Sequence, residues 1–448
     1  MSEVTLIQVL NARERRVRRQ QALLESHRCT LISFTMNIAG PVKTGPAIER
    51  TFAFGLARLH DRLPADAILA EECLYENTGC EALLAVRLPA DDAKSLCMQT
   101  EEEAPIGRLF DMDVISSDGA KLDRPAQRGC IVCGTSGRSC AARRTHSVPE
   151  LQAATQRIIS NHFMESDVDR IAALAVQSLI DEVHTTPKPG LVDERNNGSH
   201  RDMTLSTFEA SARALEGYFR NCLHIGQDTT ALAPEKIFPA LRAAGLIAEE
   251  TMYSATGGVN THKGAIFTMG ILCGAIGRLW TPDRPAAPVP DLLRECSSIY
   301  ASYEKPDFSH SDCATAGQRL FLAHGLRGIR GEMADGLPAV SGIGLPVFER
   351  TLAQGHSQND AGLIALLHLI ANVADTNLFH RGGTGGAAYA AACAKRLLTL
   401  KDPLAHLDET DDDFIARNLS PGGCADLLAV VYFLHSLKIH FGQPFAPK

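Results

Sequence analysis

Ser420-Pro421-Gly422-Gly423-Cys424-Ala425-Asp426-Leu427-Leu428-Ala429-Val430-Val431-Tyr432-Phe433-Leu434 opens with a capping serine and a first-turn proline, then continues as a helix with almost no polar face. A helix that is apolar nearly all round belongs at the centre of a large α-helical domain. Upstream, Asn359 can cap a second helix of this kind, in which Leu363, Ile364, Leu366, Leu367, Leu369, Ile370 and Val373 leave little surface for water. Ser166-Asp167-Val168-Asp169 reads as a capping-box-like start for a helix turning Ile171, Leu174, Leu179 and Val183 inward. Pro187-Lys188-Pro189-Gly190 stops it, and the texture stays helical to the end of the chain, with the Pro- and Ala-rich 280–292 stretch as a surface loop.

Towards the N-terminus the periodicity changes. Residues 29–38, 82–88 and 108–116 alternate or run apolar like strands, among helical patterns at 3–25 and 47–63. The expected fold is multidomain: an α+β domain over 1–160, then a larger all-α domain over 166–448, with the boundary inside 146–167. A chain of 448 residues is too long for one ordinary core. Its net charge of −8 argues against a non-specific nucleic-acid partner. Thirteen mostly scattered cysteines, no signal-peptide pattern and no apolar run of about 20 residues lead us to expect a cytoplasmic protein without a membrane partner. Arg13, Arg15, Arg16, Arg18 and Arg19 crowd the first helix, where a solvated face is the first reading and a partner's acidic surface the second.

Four polar, glycine-rich islands lie between the helices of the C-terminal half. They are 188–203, Thr256-Gly257-Gly258-Val259-Asn260-Thr261-His262-Lys263-Gly264, Asp375-Thr376-Asn377-Leu378-Phe379-His380-Arg381-Gly382-Gly383, and 420–426. One such loop is ordinarily a turn. Four, each with a cation or an acid beside its glycines, read as the loops of one site for a polyanion. The acids available are Asp193, Asp202, Glu332, Asp375 and Asp426; the bases are Lys188, Arg195, Arg201, Lys263, Arg330 and Arg381. Carboxylates with few soft ligands suit a magnesium–nucleotide site better than zinc, although His200, His262 and His380 could ligate it. Residues 258–263 are not a P-loop, because the second glycine is missing and no strand precedes them.

In the N-terminal half, Gly107-Arg108-Leu109-Phe110-Asp111-Met112-Asp113-Val114-Ile115 puts Asp111 and Asp113 on one face of a strand, with a turn at Ser117-Asp118-Gly119. Such a pair can hold Mg²⁺ on a phosphate under transfer; an amphipathic strand with its acids outward is the plain alternative. Glu71, Glu72 and Asp123 are candidates for a third carboxylate. Cys130-x2-Cys133-x6-Cys140-x5-His146 has the ligand set of a Cys3His zinc site with a short middle loop; unliganded structural cysteines are the alternative.

The islands, together with Arg330-Gly331-Glu332, resemble triphosphoribosyl-dephospho-CoA synthase in order over about 171–437. That resemblance implies a glycosyl transfer from ATP to 3′-dephospho-CoA that releases adenine. It implies Asp202, Glu332 and Asp375 as metal-binding or basic carboxylates, with Lys188, Lys263, Arg330 and Arg381 on phosphates. Gly257, Gly258, Asn260, His262, His380, Gly382, Gly383, Gly422 and Gly423 complete the expected nucleotide site. Residues 23–146 resemble apo-citrate lyase phosphoribosyl-dephospho-CoA transferase, on 33–43, 107–114 and the Cys130–His146 cluster, with Ala39 where the family commonly has Pro. This implies a nucleotidyltransferase-like domain in which Asp111 and Asp113 bind Mg²⁺ and act in catalysis, and Arg108 meets phosphate. The implied partner is the acyl carrier (γ) subunit of citrate lyase. The rival readings are an equivalent pair serving malonate decarboxylase and a non-catalytic assembly factor.

Overall fold

The computed structural model describes residues 3–309, 321–322 and 325–442. Over the described residues the chain falls into two compact units, one running to Ser166 and including Thr281–Arg284, the other comprising Asp167–Trp280 and residues 285–442.

In the first unit the elements are α1 (Leu6–His27), β1 (Thr30–Met36), α2 (Pro46–Arg62), β2 (Ile68–Glu76), β3 (Gly79–Val86), α3 (Ala90–Glu102), β4 (Phe110–Ile115) and α4 (Gly137–Arg143). The strands form an antiparallel sheet in the order β2-β3-β1-β4. Alternation decides its faces. Phe34, Phe110, Met112 and Val114 are buried, and Phe34 stacks on Phe52 of α2 at 4.7 Å and meets Phe110 edge-on at 5.4 Å. On the opposite face, Leu23 of α1 packs with Leu31, Leu83 and Ala85. Three of the crowded arginines are committed there: Arg16 pairs with Glu81 (2.8 Å), Arg19 with Glu72 (2.8 Å), and Arg15 with Glu76. Three of the five thus pair with acids of their own sheet, an arrangement outside both readings, while Arg13 and Arg18 stay exposed as a solvated face.

A single helix, α5 (Val148–His184), runs through the position where Ser166 was expected to start one. Ser166 Oγ donates to the Phe163 carbonyl (3.0 Å), a bond inside a continuing helix and not a cap. The second unit then contains α6 (Leu205–Ala214), α7 (Glu216–Asp228), α8 (Phe238–Thr256), α9 (Lys263–Leu279), α10 (Val289–Ser309), α11 (Gly328–Ala334), α12 (Leu345–Ala353), α13 (Gln358–Asn372), α14 (Thr376–Leu397), α15 (Leu407–Ala416) and α16 (Gly422–Phe441). Its core is built on α9, α13 and α16, whose side chains are buried almost without interruption. Each buried leucine, valine or phenylalanine there contributes about 1.5–3 kcal/mol. Contrary to the expectation that no apolar run reaches membrane length, α16 qualifies by length and composition, but 67% of its apolar window is buried. That is the packing of a core helix.

Two caps differ from expectation. Ser357 caps α13, accepting from Asp360 N–H (3.1 Å), while Asn359 turns its amide to Thr186, accepting its N–H (2.8 Å) and donating to its carbonyl (2.9 Å). Ser420 does not cap α16, whose N-cap residue is Pro421; its Oγ instead meets His200 Nε2 at 2.9 Å.

Candidate active site

The first island is held in shape by carboxylates. Asp193 accepts the N–H groups of Lys188 (2.7 Å), Arg195 (2.8 Å) and Asn196 (3.1 Å). Asp411 of α15 accepts Gly190 N–H (2.8 Å), Asn196 Nδ2 (2.7 Å) and Arg195 Nη1 (2.5 Å). Gly190 has φ +70°, and a Cβ there would fall 2.1 Å from the Leu419 carbonyl, so only glycine fits. Asp193 and Arg195, available in sequence as an acid and a base, are therefore the loop's own scaffold.

All four islands open on one cavity of about 670 Å³ within the second unit. Its wall includes Lys188, Asn260, His262, Lys263, Glu332, Asp375, His380, Arg381, Gly422 and Gly423 of the expected residues. Three helix N-termini, those of α9, α14 and α16, end on it. Their free N–H groups and dipoles favour anions. One carboxylate joins two of these ends: Asp375 caps α14 by accepting Asn377 N–H (2.7 Å) and Leu378 N–H (3.1 Å), and accepts Cys424 N–H (2.8 Å) from the first turn of α16. Most of its acceptor capacity is thereby spent on backbone, which fits holding the site together better than taking a proton.

The charges on the wall are unevenly free. Lys188, expected on phosphate, is 1% exposed and donates to the Glu182 carboxylate (2.5 Å) and the Glu182 carbonyl (2.7 Å), so its charge is already matched. Lys263 is exposed and reaches Glu249 (2.6 Å). Arg381 donates to the Ser199 carbonyl (2.8 Å), Asn418 Oδ1 (2.9 Å) and His200 Nδ1 (3.0 Å). Burial drives the His262 pKa down to about 3, helped by the Lys188 charge, and burial and then Arg381 drive His200 down to about 4. Both rings are neutral at physiological pH. His262 Nδ1 meets Ser211 Oγ at 2.7 Å, Thr261 donates to the same oxygen at 2.8 Å, and Nε2 is enclosed without a protein partner.

The carboxyls move the other way. Desolvation raises Asp426 well above the usual range, with Glu182 and Asp375 adding to it, and raises Asp375, Glu182 and Glu332 despite their hydrogen bonds. Gly264 makes room for Asp426, since a Cβ at that position would stand 1.9 Å from Asp426 Oδ2.

Six expected residues are not on this wall. Gly257 is the left-handed cap of α8 (φ +67°) and Gly258 continues that turn. Gly382 packs beneath Leu419, and Gly383 (φ +62°) breaks α14. Asp202 is exposed and acts on His200 and Arg381 through its field, and Arg330 lies on α11 outside the lining. Three charged lining residues escaped the sequence reading, Glu182, Arg327 and Asp335. Glu182 was discoverable, because it sits beside Leu179 and Val183 on the inward stripe of α5, where an acid is out of place.

The first unit presents a separate constellation. Asp111 and Asp113 share a face of edge strand β4, opposite Thr35 and Ser33 of β1. Desolvation and the neighbouring Asp113 push the Asp111 carboxyl up, while Lys121 pairs with Asp113 at 2.6 Å. These oxygen donors fit a hard cation. Glu71 and Glu72 belong to β2 at the far edge of the sheet, engaged by His60 (3.1 Å) and Arg19 (2.8 Å), and supply no third carboxylate. Buried Glu101 lies closer, accepting Met112 N–H at 2.9 Å. Arg128, also unforeseen, donates to the carbonyls of Phe110 (2.5 Å) and Gly107 at the root of β4. Arg108 donates to the Gly129 carbonyl. Among the described residues, Cys130, Cys133, Cys140 and His146 bring their ligand atoms within 4.8 Å of one another.

The CitG family model, ATP:dephospho-CoA triphosphoribosyl transferase, matches residues 168–445, and the CitX model, apo-citrate lyase phosphoribosyl-dephospho-CoA transferase, matches residues 4–162. The chain is similar to Protein CitXG of Haemophilus influenzae, at 36% identity over 98% of this chain and 97% of that protein. It is similar to Protein CitXG of Leuconostoc mesenteroides subsp. cremoris, at 30% over 97% of each. The 2-(5''-triphosphoribosyl)-3'-dephosphocoenzyme-A synthase of Klebsiella pneumoniae is 41% identical over 59% of this chain and 90% of its own.

Proposed function

This chain belongs to the CitXG family, a CitX domain followed by a CitG domain, and from that premise we propose how its residues divide the work. The protein is a bifunctional transferase. Residues 166–448 convert ATP and 3′-dephospho-CoA into 2′-(5″-triphosphoribosyl)-3′-dephospho-CoA and adenine. Residues 1–160 transfer the phosphoribosyl-dephospho-CoA group to a serine of the citrate lyase acyl carrier protein and release pyrophosphate. One product is the next substrate, so joining the two activities in one chain raises its local concentration.

The observation that carries the synthase reading is the meeting of three helix N-termini and several high-pKa carboxyls in one cavity. The helix ends, with Lys263 and Arg381, bind the phosphates of the two nucleotides. A ribose 2′-hydroxyl of dephospho-CoA attacks C1′ of ATP, and the bond to adenine breaks. A carboxyl whose burial favours the protonated form can hand its proton to the departing base; Asp426, raised well above the usual carboxylate range, is suited to this, and Glu332 to receiving the hydroxyl proton. Neutral His262 contributes hydrogen bonding without charge. Asp375 is a positioning residue that fixes two of the helix ends.

For the transferase we read the sheet as nucleotidyltransferase-like, with Asp111 and Asp113 holding Mg²⁺, which when bound neutralises phosphate charge. Glu101 and Arg128 keep the β4 backbone in place beneath that pair. A cytoplasmic setting belongs to the same proposal, supported by the unpaired state of the described cysteines.

Incubation with ATP, dephospho-CoA and Mg²⁺, followed by chromatography, should yield adenine. Addition of apo-carrier protein should then raise the carrier's mass by one phosphoribosyl-dephospho-CoA group. Absence of adenine would defeat the synthase half, and an unmodified carrier in the presence of formed intermediate would defeat the transferase half.

A further inference from the structure

Downstream of β4, the chain makes a tight knuckle. Cys130 N–H donates to the Thr135 carbonyl (2.6 Å), Gly134 N–H returns to the Cys130 carbonyl (2.9 Å), and Gly134 adopts φ +72°. Inside this turn the Val132 N–H points at Cys130 Sγ (3.4 Å), a donor placed to stabilise a thiolate. The middle spacing looked short for a metal site, but α4 solves it: its first turn, with Cys140 N–H on the Ser136 carbonyl (3.0 Å), brings Cys140 Sγ to 3.4 Å from Cys133 Sγ. His146 completes the group, and its Nε2 is buried without a hydrogen-bond partner. An imidazole nitrogen enclosed without a hydrogen-bond partner, on a ring that interacts with the Cys133 sulfur, is a group whose partner remains to be explained.

We propose that Cys130, Cys133, Cys140 and His146 form a structural zinc site in the CitX unit. Zn–S bonds of about 2.3 Å and a Zn–N bond of about 2.0 Å place tetrahedral ligands about 3.4–3.8 Å apart. The four ligand atoms already lie within 4.8 Å of one another, so small side-chain adjustments close the shell. Three thiolates and an imidazole select a borderline-soft ion over Mg²⁺ or Ca²⁺. On binding, the thiols release their protons to solvent, and Zn²⁺ with three thiolates carries a net charge of −1. A Cys133–Cys140 disulfide is the competing use of the pair, but it leaves Cys130 and His146 without a purpose.

The site would also serve the transferase. The Arg128 carbonyl accepts Gly137 N–H (3.1 Å) at the base of the knuckle, while the Arg128 side chain holds the Phe110 and Gly107 carbonyls at the start of β4. Closing the knuckle on a metal therefore fixes the backbone beneath Asp111.

The test uses the full chain, free of any affinity tag and purified under reducing conditions. Elemental analysis should find about one zinc per chain, released by a mercurial thiol reagent, and cobalt substitution should give thiolate charge-transfer and tetrahedral d–d bands. Cys133→Ser and His146→Ala should lose the metal, while His146→Cys, which restores four ligands, should keep it. All three should release adenine at the wild-type rate, and the metal-free forms should attach the prosthetic group at least about tenfold more slowly. A native chain that contains no zinc and takes up neither Zn²⁺ nor Co²⁺ overturns the proposal, as does a Cys133–Cys140 disulfide in its peptide map. Full zinc content in Cys133→Ser and His146→Ala places the metal elsewhere and overturns it equally. Should a variant fail to fold, the wild-type metal content and cobalt spectrum decide.

Discussion

His262 shows how enclosure changes what a side chain can offer. Its sequence neighbours, Asn260 and Lys263, suggest an imidazole ready to meet triphosphate as a cation. With a folded pKa of about 3 against about 6.5 in the unfolded chain, it is neutral in the native protein. Between these values the unfolded chain binds more protons, so stability is complete above about pH 6.5 and is lost as pH falls below it. The imidazole C2–H resonance should stay unmoved down to pH 5, and His262→Gln should shrink the difference between urea melts at pH 7 and pH 5 by about 2 kcal/mol. Gly264 makes a sharper point. Gly264→Ala drives the Asp426 carboxyl from its place, so stability should fall by about 1–3 kcal/mol with the fold retained, while adenine release falls at least about tenfold. Unchanged adenine release would remove Asp426 from the chemistry. Lys188 was misleading in sequence for a related reason: spacing shows a lysine between prolines, not that Glu182, one turn and a loop earlier, faces it.

At the level of elements, a carboxylate shared by two helix N-termini makes those helices depend on each other. Asp375→Ala frees three N–H groups at once and should cost about 2–4 kcal/mol by denaturant melts, more than one lost cap. Asp375→Asn keeps the cap of α14 but turns an amide N–H₂ towards Cys424 N–H. It should lower stability less, yet still depress adenine release. A positioning role requires the two losses to appear together; normal stability with lost activity would mark Asp375 as a catalytic group. The apolar bodies of α13 and α16 are legible in sequence because continuous burial needs no partner to be recognised. Their ends are less so. Ser420 and Asn359 have the chemistry of caps, but stronger tertiary partners, His200 and Thr186, claim them. β2 escaped notice because Ile68–Glu76 carries three glutamates and a bulge, and its acids find their partners on other elements, Arg15 and Arg19 of α1 and His60 of α2.

Across the whole molecule the two chemistries should be separable by mutation. Asp111→Asn or Asp113→Asn should reduce carrier modification at least about a hundredfold while adenine continues to appear at the wild-type rate. Loss of both activities with an unchanged circular dichroism spectrum would mean that the two reactions share one site. An early sheet and a later helical region can be read from periodicity alone, and the Asp111/Asp113 alternation is visible in six residues. The gathering of four distant loops cannot be read that way, since nothing local records that Lys188 and Gly422 line one cavity. The position of α16 has a further consequence for how the protein is born. The last strand of the sheet is finished by Ile115, so the first unit can close its core early in translation. The second cannot, because α9 must wait for a central helix that ends at Phe441, roughly 160 residues later, an interval of about 8–30 s on the ribosome. During that wait its most oily surfaces are bare, and the nascent chain becomes a client for whatever chaperone meets it first.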